Sequence, residues 1–325
     1  MKIGIYGYGN LGRGVECAIA QSTDAGLVGI FTRRPASDVA SLSGAPVYPA
    51  STVLDFKGDI DVLVICGGSA TDLPVMTPYL AQHFNVVDSF DTHGKISDHL
   101  EAVDNAAKMG GKAAVISAGW DPGLFSIIRA YFSAFLPDGS NCTFWGRGVS
   151  QGHSDAIRRI PGVIDARQYT IPREDAIKGA REGAVSHFLA QDMHYRECYV
   201  AVNEGTDTDK IERQIKSMPG YFAGYDTTVH FVTPEDLGRH HSAMPHGGRV
   251  IRSGRTGPAR EHTHTAELSL SLDSNPEFTG SILVSVARAV NRMSQEGETG
   301  CKTVLDIPPA YYLPYTEAEV HKMFL

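Results

Sequence analysis

Three glycines near the amino terminus have the spacing of a loop that can bind phosphate. Gly7, Gly9 and Gly12 form a Gly-x-Gly-x-x-Gly pattern in "YGYGNLGRG", between the apolar run "KIGIYG" and an amphipathic segment. Such glycines permit a tight turn, and the free N–H groups at the start of the following helix face a pyrophosphate. The alternative, a plain strand–helix turn, would need one glycine rather than three. We therefore predict a dinucleotide-binding loop made of Gly7, Gly9, Asn10, Leu11 and Gly12.

The next apolar run ends in a positively charged pair, within "GIFTRRP". An acid at this point would accept a hydrogen bond from the adenosine 2′-hydroxyl and would repel a 2′-phosphate. Thr32, Arg33 and Arg34 instead offer a hydroxyl and two guanidinium groups, whose fork suits phosphate oxygens. The pattern predicts NADP rather than NAD as the cofactor. The alternative is a solvated charge pair in a surface loop.

Later strand ends add further candidate cofactor contacts. The stretch "CGGSATD" follows the third apolar run, and its glycines fit the close passage of a cofactor at the carboxyl end of a strand. An ordinary turn with a helix cap at Thr71 or Asp72 is compatible with that interpretation. The cofactor-binding residues predicted at these strand ends are Gly67, Gly68, Ser69, Ala70, Asp88, Pro122 and Gly123.

The composition argues against several classes of protein. The chain has 325 residues, enough for about two domains, with 42% hydrophobic residues and a formal net charge of −8. A negative balance argues against nucleic-acid binding, and no run reaches the roughly 18 apolar residues of a membrane span. Five cysteines without a CxxC pair indicate reduced thiols. We therefore expect a soluble cytoplasmic protein with no nucleic-acid or membrane partner.

Two patterns of hydrophobicity divide the chain. In the first third, short apolar runs alternate with helices, which is typical of a doubly wound parallel sheet of the Rossmann type. After about Ser117 the runs lengthen and alternate apolar with polar residues, as in an antiparallel sheet with one wet face. A long helix follows Pro276. The predicted fold class is α/β, with a dinucleotide-binding domain and an α+β domain whose sheet is mostly antiparallel.

Four longer motifs carry a resemblance to a known family. They are "VVDSFDTH" (86–93), "SAGWDPGLFSI" (117–127), "TFWGRGVSQGHSDAIRRIPGV" (143–163) and "MPHGG" (244–248). Together with the glycine loop and the two arginines, they make the chain resemble the meso-diaminopimelate dehydrogenase family nearly end to end. One insertion-like difference falls at about residues 254–264.

The resemblance implies an activity, an assembly and a division into domains. The family oxidises the D-centre of meso-2,6-diaminopimelate with NADP, giving L-2-amino-6-oxopimelate, ammonia and NADPH, in lysine and cell-wall precursor metabolism. Its substrate domain also forms a homodimer, and its last helix returns to the dinucleotide domain. For this chain the resemblance implies a dinucleotide-binding domain of residues 1–118 plus about 278–325. Residues 119–277 would form the substrate-binding and dimerisation domain.

Two aspartates are the candidate catalytic residues. Hydride can leave Cα only when the nitrogen lone pair can form an imine, so the ammonium must first lose a proton. By resemblance, Asp91 and Asp121 hold the D-amino group. An aspartate is a poor base unless its pKa is raised, so we expect electrostatic binding and leave the final proton acceptor open. Alternatively, Asp121 only caps a helix whose first residue is Pro122.

The far end of such a substrate needs a pocket for an amino-acid group. The resemblance implies substrate-binding roles for Trp120, Trp145, Gly152, Thr170, Arg196, His246 and Asn275. The distal carboxylate would meet Thr170, Arg196 and His246, and the distal amino group would meet Asn275. His246 lies in an exposed-looking loop, which favours a functional role. Alternatively, Arg196 is a charge on an exposed strand face and Trp145 belongs to the core.

Two further signals are discounted as sites. The histidines between 240 and 264 lack metal-ligand spacing, and no cysteine or paired acid joins them, so no metal is expected. The adjacent residues of "GHSD" do not make a catalytic triad, which is assembled in space, and Ser154 is expected to start a helix. Two other functions stay open. One is an NADP-dependent dehydrogenase of another D-amino or diamino acid, and the other is a non-catalytic NADP(H)-binding protein.

Overall fold

The computed structural model describes residues 1–183 and 189–325 and divides the chain into two compact units. The first unit comprises Met1–Ile127 and Pro276–Leu325, and the second unit comprises Ile128–Asn275. The resemblance implies domain boundaries at residues 118 and 277, and the compact units change at Ile127 and Asn275.

The first unit is built on a sheet of seven parallel strands. In chain order they are β1 (Lys2–Tyr6), β2 (Gly26–Thr32), β3 (Val47–Pro49), β4 (Val62–Ile65), β5 (Val86–Asp88), β6 (Ala113–Val115) and β14 (Gly300–Lys302). Their spatial order is β14-β6-β5-β4-β1-β2-β3. The sequence predicts the five inner strands. It does not predict β3 and β14, which lie at the two edges and have three residues each, too few to show a pattern.

Helices α1 (Asn10–Ala20), α2 (Leu73–Ala81), α3 (Ile96–Gly110) and α10 (Asn275–Gln295) pack against this sheet. Helix α4 (Leu124–Phe135) follows β6, and α11 (Glu317–Phe324), which has no buried residue, lies near the end of the chain. One core joins strand residues such as Ile5 and Val64 to Val286 and Val290 of α10, which are all almost fully buried. The long helix predicted after Pro276 is therefore part of the first unit and packs beside β1 and β4.

The second unit contains two sheets. Its strands are β7 (Gly139–Trp145), β8 (Gly148–Val149), β9 (Val163–Pro172), β10 (His194–Val202), β11 (Thr227–Phe231), β12 (His246–Thr256) and β13 (His262–Leu272). Four of them form a sheet in the order β11-β10-β9-β8, and three form a sheet in the order β13-β12-β7. The sequence predicts a mostly antiparallel sheet, and most neighbouring strands are antiparallel, although they are divided between two sheets.

The described helices of the second unit are α5 (Gln151–Arg158), α6 (Glu174–Arg181), α7 (Ala190–Met193), α8 (Thr208–Lys216) and α9 (Pro234–His240).

One pair of strands in the second unit is parallel. Because α8 connects β10 to β11, the chain can return to the same end of the sheet and pair in parallel, from Arg196 opposite Thr227 onward. Alternation of residues within a strand does not reveal such a crossover.

Strands β9 and β10 pair so that their buried residues share one face. Arg196 lies opposite Thr170, and Cys198 lies opposite Gln168. The same face continues into an apolar core that includes Val200 and residues of α5 and α8. A polar group on this face is therefore carried into the interior of the unit.

The insertion-like segment forms the end of a hairpin. Strands β12 and β13 pair in register from His246 opposite Leu272 to Thr256 opposite His262. Residues 257–261 turn the chain between them, so the segment consists of the paired ends of β12 and β13 and the turn that joins them.

Candidate functional site

The glycine loop is constrained by backbone contacts. Gly7 has a φ of +96°, and a Cβ placed on it would lie 2.4 Å from the carbonyl oxygen of Cys66. A Cβ on Gly12 would lie 2.4 Å from the carbonyl oxygen of Gly7. Gly9 precedes the first residue of α1 and has open space on its Cβ side. More than one of the three glycines is thus required, and the helix start is open to an anion.

The predicted 2′-phosphate site has three polar side chains that already contact the neighbouring loops. Thr32 is buried and accepts a hydrogen bond from the backbone N–H of Arg34 at 3.2 Å. The Arg34 guanidinium donates to the carbonyl oxygen of Tyr8 in the glycine loop. Arg33 is 62% exposed, and its Nη1 lies 2.9 Å from Oδ1 of Asp72. Arg34 is therefore held beside the glycine loop, whereas Arg33 is largely exposed and paired with Asp72.

Asp72 is a residue whose role the sequence did not reveal. It precedes α2, but its carboxylate makes no helix cap and instead accepts from the backbone N–H of Gly68 at 3.0 Å. The hydrogen bond from Arg33 holds the pKa of Asp72 below its usual range. Asp72 thus occupies Arg33 through an ion pair that a bound phosphate would have to replace.

Ser69 links the loop after β4 to the loop that carries Asp91. Its Oγ accepts a hydrogen bond from the Asp91 backbone N–H at 2.8 Å and lies 3.1 Å from Oγ1 of Thr92. The Asp91 side chain is exposed. The carboxylate predicted to be catalytic therefore projects from a loop whose backbone is fixed.

The carboxylate of Asp88 forms several hydrogen bonds within the first unit. It is fully buried and accepts from Thr77 Oγ1 at 2.7 Å and from the backbone N–H groups of Phe90 and Ser117. His99 Nε2 lies 2.7 Å from its Oδ2. These contacts occupy the Asp88 side chain, and the Asp88 carbonyl oxygen accepts from the Ala118 N–H at 2.9 Å, so the contact with a cofactor stays a prediction.

The turn before α4 places Asp121 outside the helix cap. The helix begins at Leu124, whose N–H donates to the carbonyl oxygen of Gly119 at 2.9 Å. Asp121 therefore lies too far ahead of the helix to be its N-cap, and Pro122 is not the first helical residue. Gly123 has a φ of +131°, and a Cβ on it would lie 1.8 Å from the Gly119 carbonyl oxygen. The alternative role of Asp121 as a cap of α4 was wrong, and Gly123 is required by the turn itself.

Two neighbours of Asp121 complete this part of the first unit. Trp120 is 8% exposed and packs edge to face on Phe125 at 5.2 Å between ring centroids. Ser117 has a φ of +55°, unusual for a residue with a side chain, and its Oγ is buried without a hydrogen-bond partner among the described residues. Backbone strain at a strand end is a frequent property of functional loops, and sequence analysis could not have found it.

In the second unit, Arg196 is a buried cation that pairs with no acid among the described residues. It is 6% exposed, and its Nη1 lies 3.4 Å from Thr170 Oγ1. Its Cζ lies 3.9 Å from the centre of the Tyr225 ring, while its Nε has no hydrogen-bond partner among the described residues. Burial lowers its pKa, opposed by Tyr225. The alternative of an exposed strand charge was therefore wrong.

An anionic ligand would compensate the charge of a buried cation in this position. A buried charge is unfavourable unless it is paired, and no carboxylate of the described residues forms an ion pair with Arg196. Thr170 supplies a hydroxyl beside the guanidinium. This pair of groups can bind a carboxylate, which is the chemistry predicted for the distal end of the substrate.

His246 is half-buried at the start of β12 rather than in an exposed loop. A Cβ on Gly148 would lie 2.5 Å from the His246 ring, so this glycine makes room for the imidazole. Burial lowers the pKa of His246, although the hydrogen bond with the Gly247 backbone opposes the shift. The backbone N–H of Asn275 donates to the Met244 carbonyl oxygen at 3.1 Å, which ties Asn275 to the segment before His246.

Trp145 and Gly152 occupy accessible positions. The Trp145 ring is half-buried and stacks on His194 at 5.5 Å, so it is not a core residue. Gly152 is exposed near the start of α5, with open space on its Cβ side. That helix is capped by Ser150, whose Oγ accepts from the His153 N–H. The expectation that Ser154 starts the helix was wrong, because Ser154 lies inside it and donates to the Ser150 carbonyl oxygen.

Neither a metal-binding cluster nor a membrane-spanning helix occurs in the described part of the chain. Within residues 1–183 and 189–325, no group of three or more histidine, cysteine or acidic side chains has a geometry that could hold a metal ion. Among the helices of the same ranges, none is long and apolar enough to cross a membrane.

Comparison with known proteins matches the whole chain. The model of the diaminopimelic acid dehydrogenase C-terminal domain matches residues 119–274. The meso-diaminopimelate D-dehydrogenase of Acetivibrio thermocellus is 53% identical over 326 residues, covering 100% of this chain and 98% of the relative.

Solved structures agree with this match. The C. glutamicum DAP dehydrogenase in complex with DAP has a TM-score of 0.93 at 43% identity, covering 100% of this chain and 99% of that chain. An engineered D-amino acid dehydrogenase bound to NADP+ has a TM-score of 0.90 at 41% identity, with the same coverage of both chains. The fold prediction is confirmed by these structures.

Proposed function

The chain belongs to the meso-diaminopimelate D-dehydrogenase family, and from that membership we propose that it oxidises the D-centre of meso-2,6-diaminopimelate with NADP+. One water is consumed, and the products are L-2-amino-6-oxopimelate, ammonium, NADPH and a proton. The reaction is reversible and belongs to lysine and cell-wall precursor metabolism.

The observation that carries this proposal is the unpaired cation in the second unit. Arg196 is buried without an acid partner among the described residues, beside the Thr170 hydroxyl. A substrate with a second carboxylate neutralises this charge, whereas a simple D-amino acid has nothing to place there. His246 and Asn275 are proposed to complete the recognition of the distal amino-acid group, with Gly152 and the Trp145 ring lining the pocket.

The reacting centre is assigned to two aspartates of the first unit. Asp91 and Asp121 would bind the D-ammonium group and fix the orientation of Cα, with Trp120 beside them. The ammonium loses a proton before its lone pair can form the imine, and water then hydrolyses the imine to the ketone and ammonia. Bound NADP+ would supply the hydride acceptor. Two carboxylates facing one cation contribute mainly by positioning and charge.

The cofactor assignment depends on residues of the first unit. The glycine loop would bind the pyrophosphate through backbone N–H groups, while Thr32, Arg33 and Arg34 would bind the 2′-phosphate. The loop of residues 67–70 and the backbone near Asp88 and residues 122–123 are proposed to contact the remainder of the dinucleotide. A 2′-phosphate would compete with Asp72 for Arg33.

We also propose that the chain assembles as a homodimer in the cytoplasm. The second unit exposes the stacked rings of Tyr131 and Phe135, which are 41% and 77% accessible in a single chain. Large apolar side chains of this kind favour a protein partner. The five cysteines are free, in keeping with a reducing compartment. Light scattering after size exclusion tests the dimer, and a monomeric mass at micromolar concentration would contradict it.

The proposed function is tested by measuring both products, NADPH and ammonia, in the same reaction. The purified chain is incubated with NADP+ and either meso-2,6-diaminopimelate or D-2-aminoheptanoate, which has the same chain length but no distal groups. We expect equal amounts of NADPH and ammonia from diaminopimelate and a much lower kcat/KM for the second compound. Equal kcat/KM for both substrates would show that the distal pocket is not a carboxylate site. No NADPH from diaminopimelate would contradict the function itself.

A further inference from the structure

Gln168 lies in the interior of the second unit next to the proposed carboxylate site. It is fully buried on the same face of β9 as Ala166 and Thr170, opposite Cys198 of β10. The core on this face includes the apolar side chains of Ala166 and Val200, and Ser154 Oγ accepts from the Gln168 backbone N–H at 2.9 Å. A leucine or methionine would fill this place without a polar group that needs hydrogen-bond partners. The presence of a buried amide therefore indicates a role beyond packing.

One half of the Gln168 amide has no partner. Its Oε1 is buried and accepts no hydrogen bond among the residues that the structure describes. Leaving a buried acceptor unsatisfied typically destabilises a fold. The other half, Nε2, donates to Thr170 Oγ1 at 3.2 Å. Among the described residues, the side-chain hydrogen bond that the amide makes is therefore the one to Thr170.

The contacts of Thr170 determine where its proton points. A hydroxyl can accept two hydrogen bonds and donate one. Gln168 Nε2 and Arg196 Nη1 both donate to Thr170 Oγ1, at 3.2 and 3.4 Å, and so occupy its two acceptor positions. The Thr170 O–H must then point away from both donors. It is left as a donor beside a guanidinium, which is the arrangement that a carboxylate needs.

We propose that Gln168 is a positioning residue for substrate recognition, which holds the Thr170 hydroxyl as a donor to the distal carboxylate. The proposal rests on the function proposed above and assigns to it a residue that does not touch the substrate. Without the Gln168 donor, the Thr170 hydroxyl can rotate and is no longer fixed toward the carboxylate. Binding of the distal group weakens, while the reacting centre is unaffected.

The test is a double-mutant cycle on the whole enzyme. Gln168→Met removes the amide and keeps the length of the side chain, and Thr170→Val removes the hydroxyl. Loss of one hydrogen bond predicts a KM for meso-diaminopimelate about three- to tenfold higher in Gln168→Met, with kcat and the KM for NADP+ nearly unchanged. In the Thr170→Val background the same change should have no further effect, because its partner is absent.

Two further variants separate positioning from packing. Cys198→Ala alters the same core opposite Gln168 without touching Thr170, and should lower the melting temperature while leaving the KM for substrate unchanged. Gln168→Glu offers Arg196 an internal anion, and should raise that KM more than Gln168→Met does. The melting temperature of Gln168→Met should equal or exceed that of the unsubstituted protein, since an unsatisfied acceptor is removed.

The outcomes distinguish this proposal from the proposed function. Calorimetric titration of each variant with meso-diaminopimelate gives affinities that do not depend on turnover. If Gln168→Met binds substrate as tightly as the unsubstituted protein, or weakens it equally in the Thr170→Val background, Gln168 does not act through Thr170. If the unsubstituted protein neither binds nor oxidises diaminopimelate, the proposed function fails whatever the variants do.

Discussion

At the scale of single residues, the arginines differ in whether the protein supplies their counter-ion. Arg288 donates from Nε and Nη2 to the two oxygens of Asp24, and Arg181 binds both oxygens of Glu267 in the same way. Arg196 is more deeply buried and binds no carboxylate of the described residues. The first two have counter-ions within the chain, whereas the third is proposed to bind an anionic ligand.

Replacing Arg196 by methionine tests this distinction. We expect the free energy of diaminopimelate binding to weaken by about 2–5 kcal/mol, which is typical when one member of a buried charge pair is removed. The melting temperature without substrate should not fall, because a buried unpaired charge is removed. Kinetics, calorimetry and thermal unfolding measure the three quantities. A normal substrate KM would place Arg196 outside the site.

Arg33 is the residue on which cofactor choice is predicted to depend most simply. It is largely exposed, so Arg33→Ala should leave the fold intact. Loss of one charge-assisted contact to the 2′-phosphate should raise the KM for NADP+ about ten- to hundredfold and leave that for NAD+ nearly unchanged. Arg159→Ala, at another exposed arginine, is the control. Equal use of both cofactors by the unsubstituted protein would refute the NADP assignment.

Asp121→Asn separates charge from shape at the reacting centre. The turn that carries Asp121 precedes α4 without capping it, so stability should change little. We expect kcat to fall at least about tenfold, or about 1.4 kcal/mol, because the amide no longer holds the ammonium electrostatically. Steady-state rates and thermal unfolding are compared in the same preparation. Full turnover together with a lower melting temperature would make the residue structural. Asp91→Asn should behave in the same way.

At the scale of elements, glycines set the distance between α1 and α10. A Cβ on Gly14 would lie 2.2 Å from the carbonyl oxygen of Pro276, and one on Gly280 would lie 2.3 Å from the carbonyl carbon of Gly14. Backbone atoms cannot move aside as a flexible side chain can. The close crossing of these helices is therefore specified by two residues far apart in the sequence.

Gly14→Ala should destabilise the first unit. The added methyl group forces α1 and α10 apart, and overpacking of this kind costs about 1–3 kcal/mol. Gly238→Ala in α9 is the control, because its Cβ would meet no atom within 4 Å. That change should be neutral or stabilising by about 0.4–1 kcal/mol. Denaturant unfolding measures both, and equal stability of the two variants would contradict the packing argument.

The sequence predicts those strands and helices that have a local pattern of apolar residues. It does not predict strand pairings that depend on other parts of the chain. The five inner strands of the first unit are apolar runs and were recognisable. The edge strands β3 and β14 are too short, and the parallel pairing of β10 with β11 depends on α8 between them. The burial of Arg196 is indicated by the sequence, because alternate residues of a strand share a face. Arg196 therefore lies on the same face as Cys198, and Glu197 lies on the opposite face. No sequence pattern indicates that the Gln168 side-chain oxygen lacks a hydrogen-bond partner among the described residues.

At the scale of the whole molecule, the two units carry different parts of the proposed chemistry. The first unit holds the glycine loop, the paired arginines and the two aspartates, and the second unit holds Arg196, Thr170 and His246. Recognition of the D-centre and of the L-centre is therefore assigned to different segments of the fold.

The measurement that tests this account most directly compares the separated isomers of 2,6-diaminopimelate. Initial rates of NADPH formation are recorded with the meso, LL and DD compounds under the same conditions. We expect rapid oxidation of the meso isomer. The LL isomer should not react, because it has no D-centre, and the DD isomer should react with a much lower kcat/KM, because its distal groups are misplaced at Arg196 and Thr170. Oxidation of the LL isomer at a rate comparable to that of the meso isomer would contradict the account.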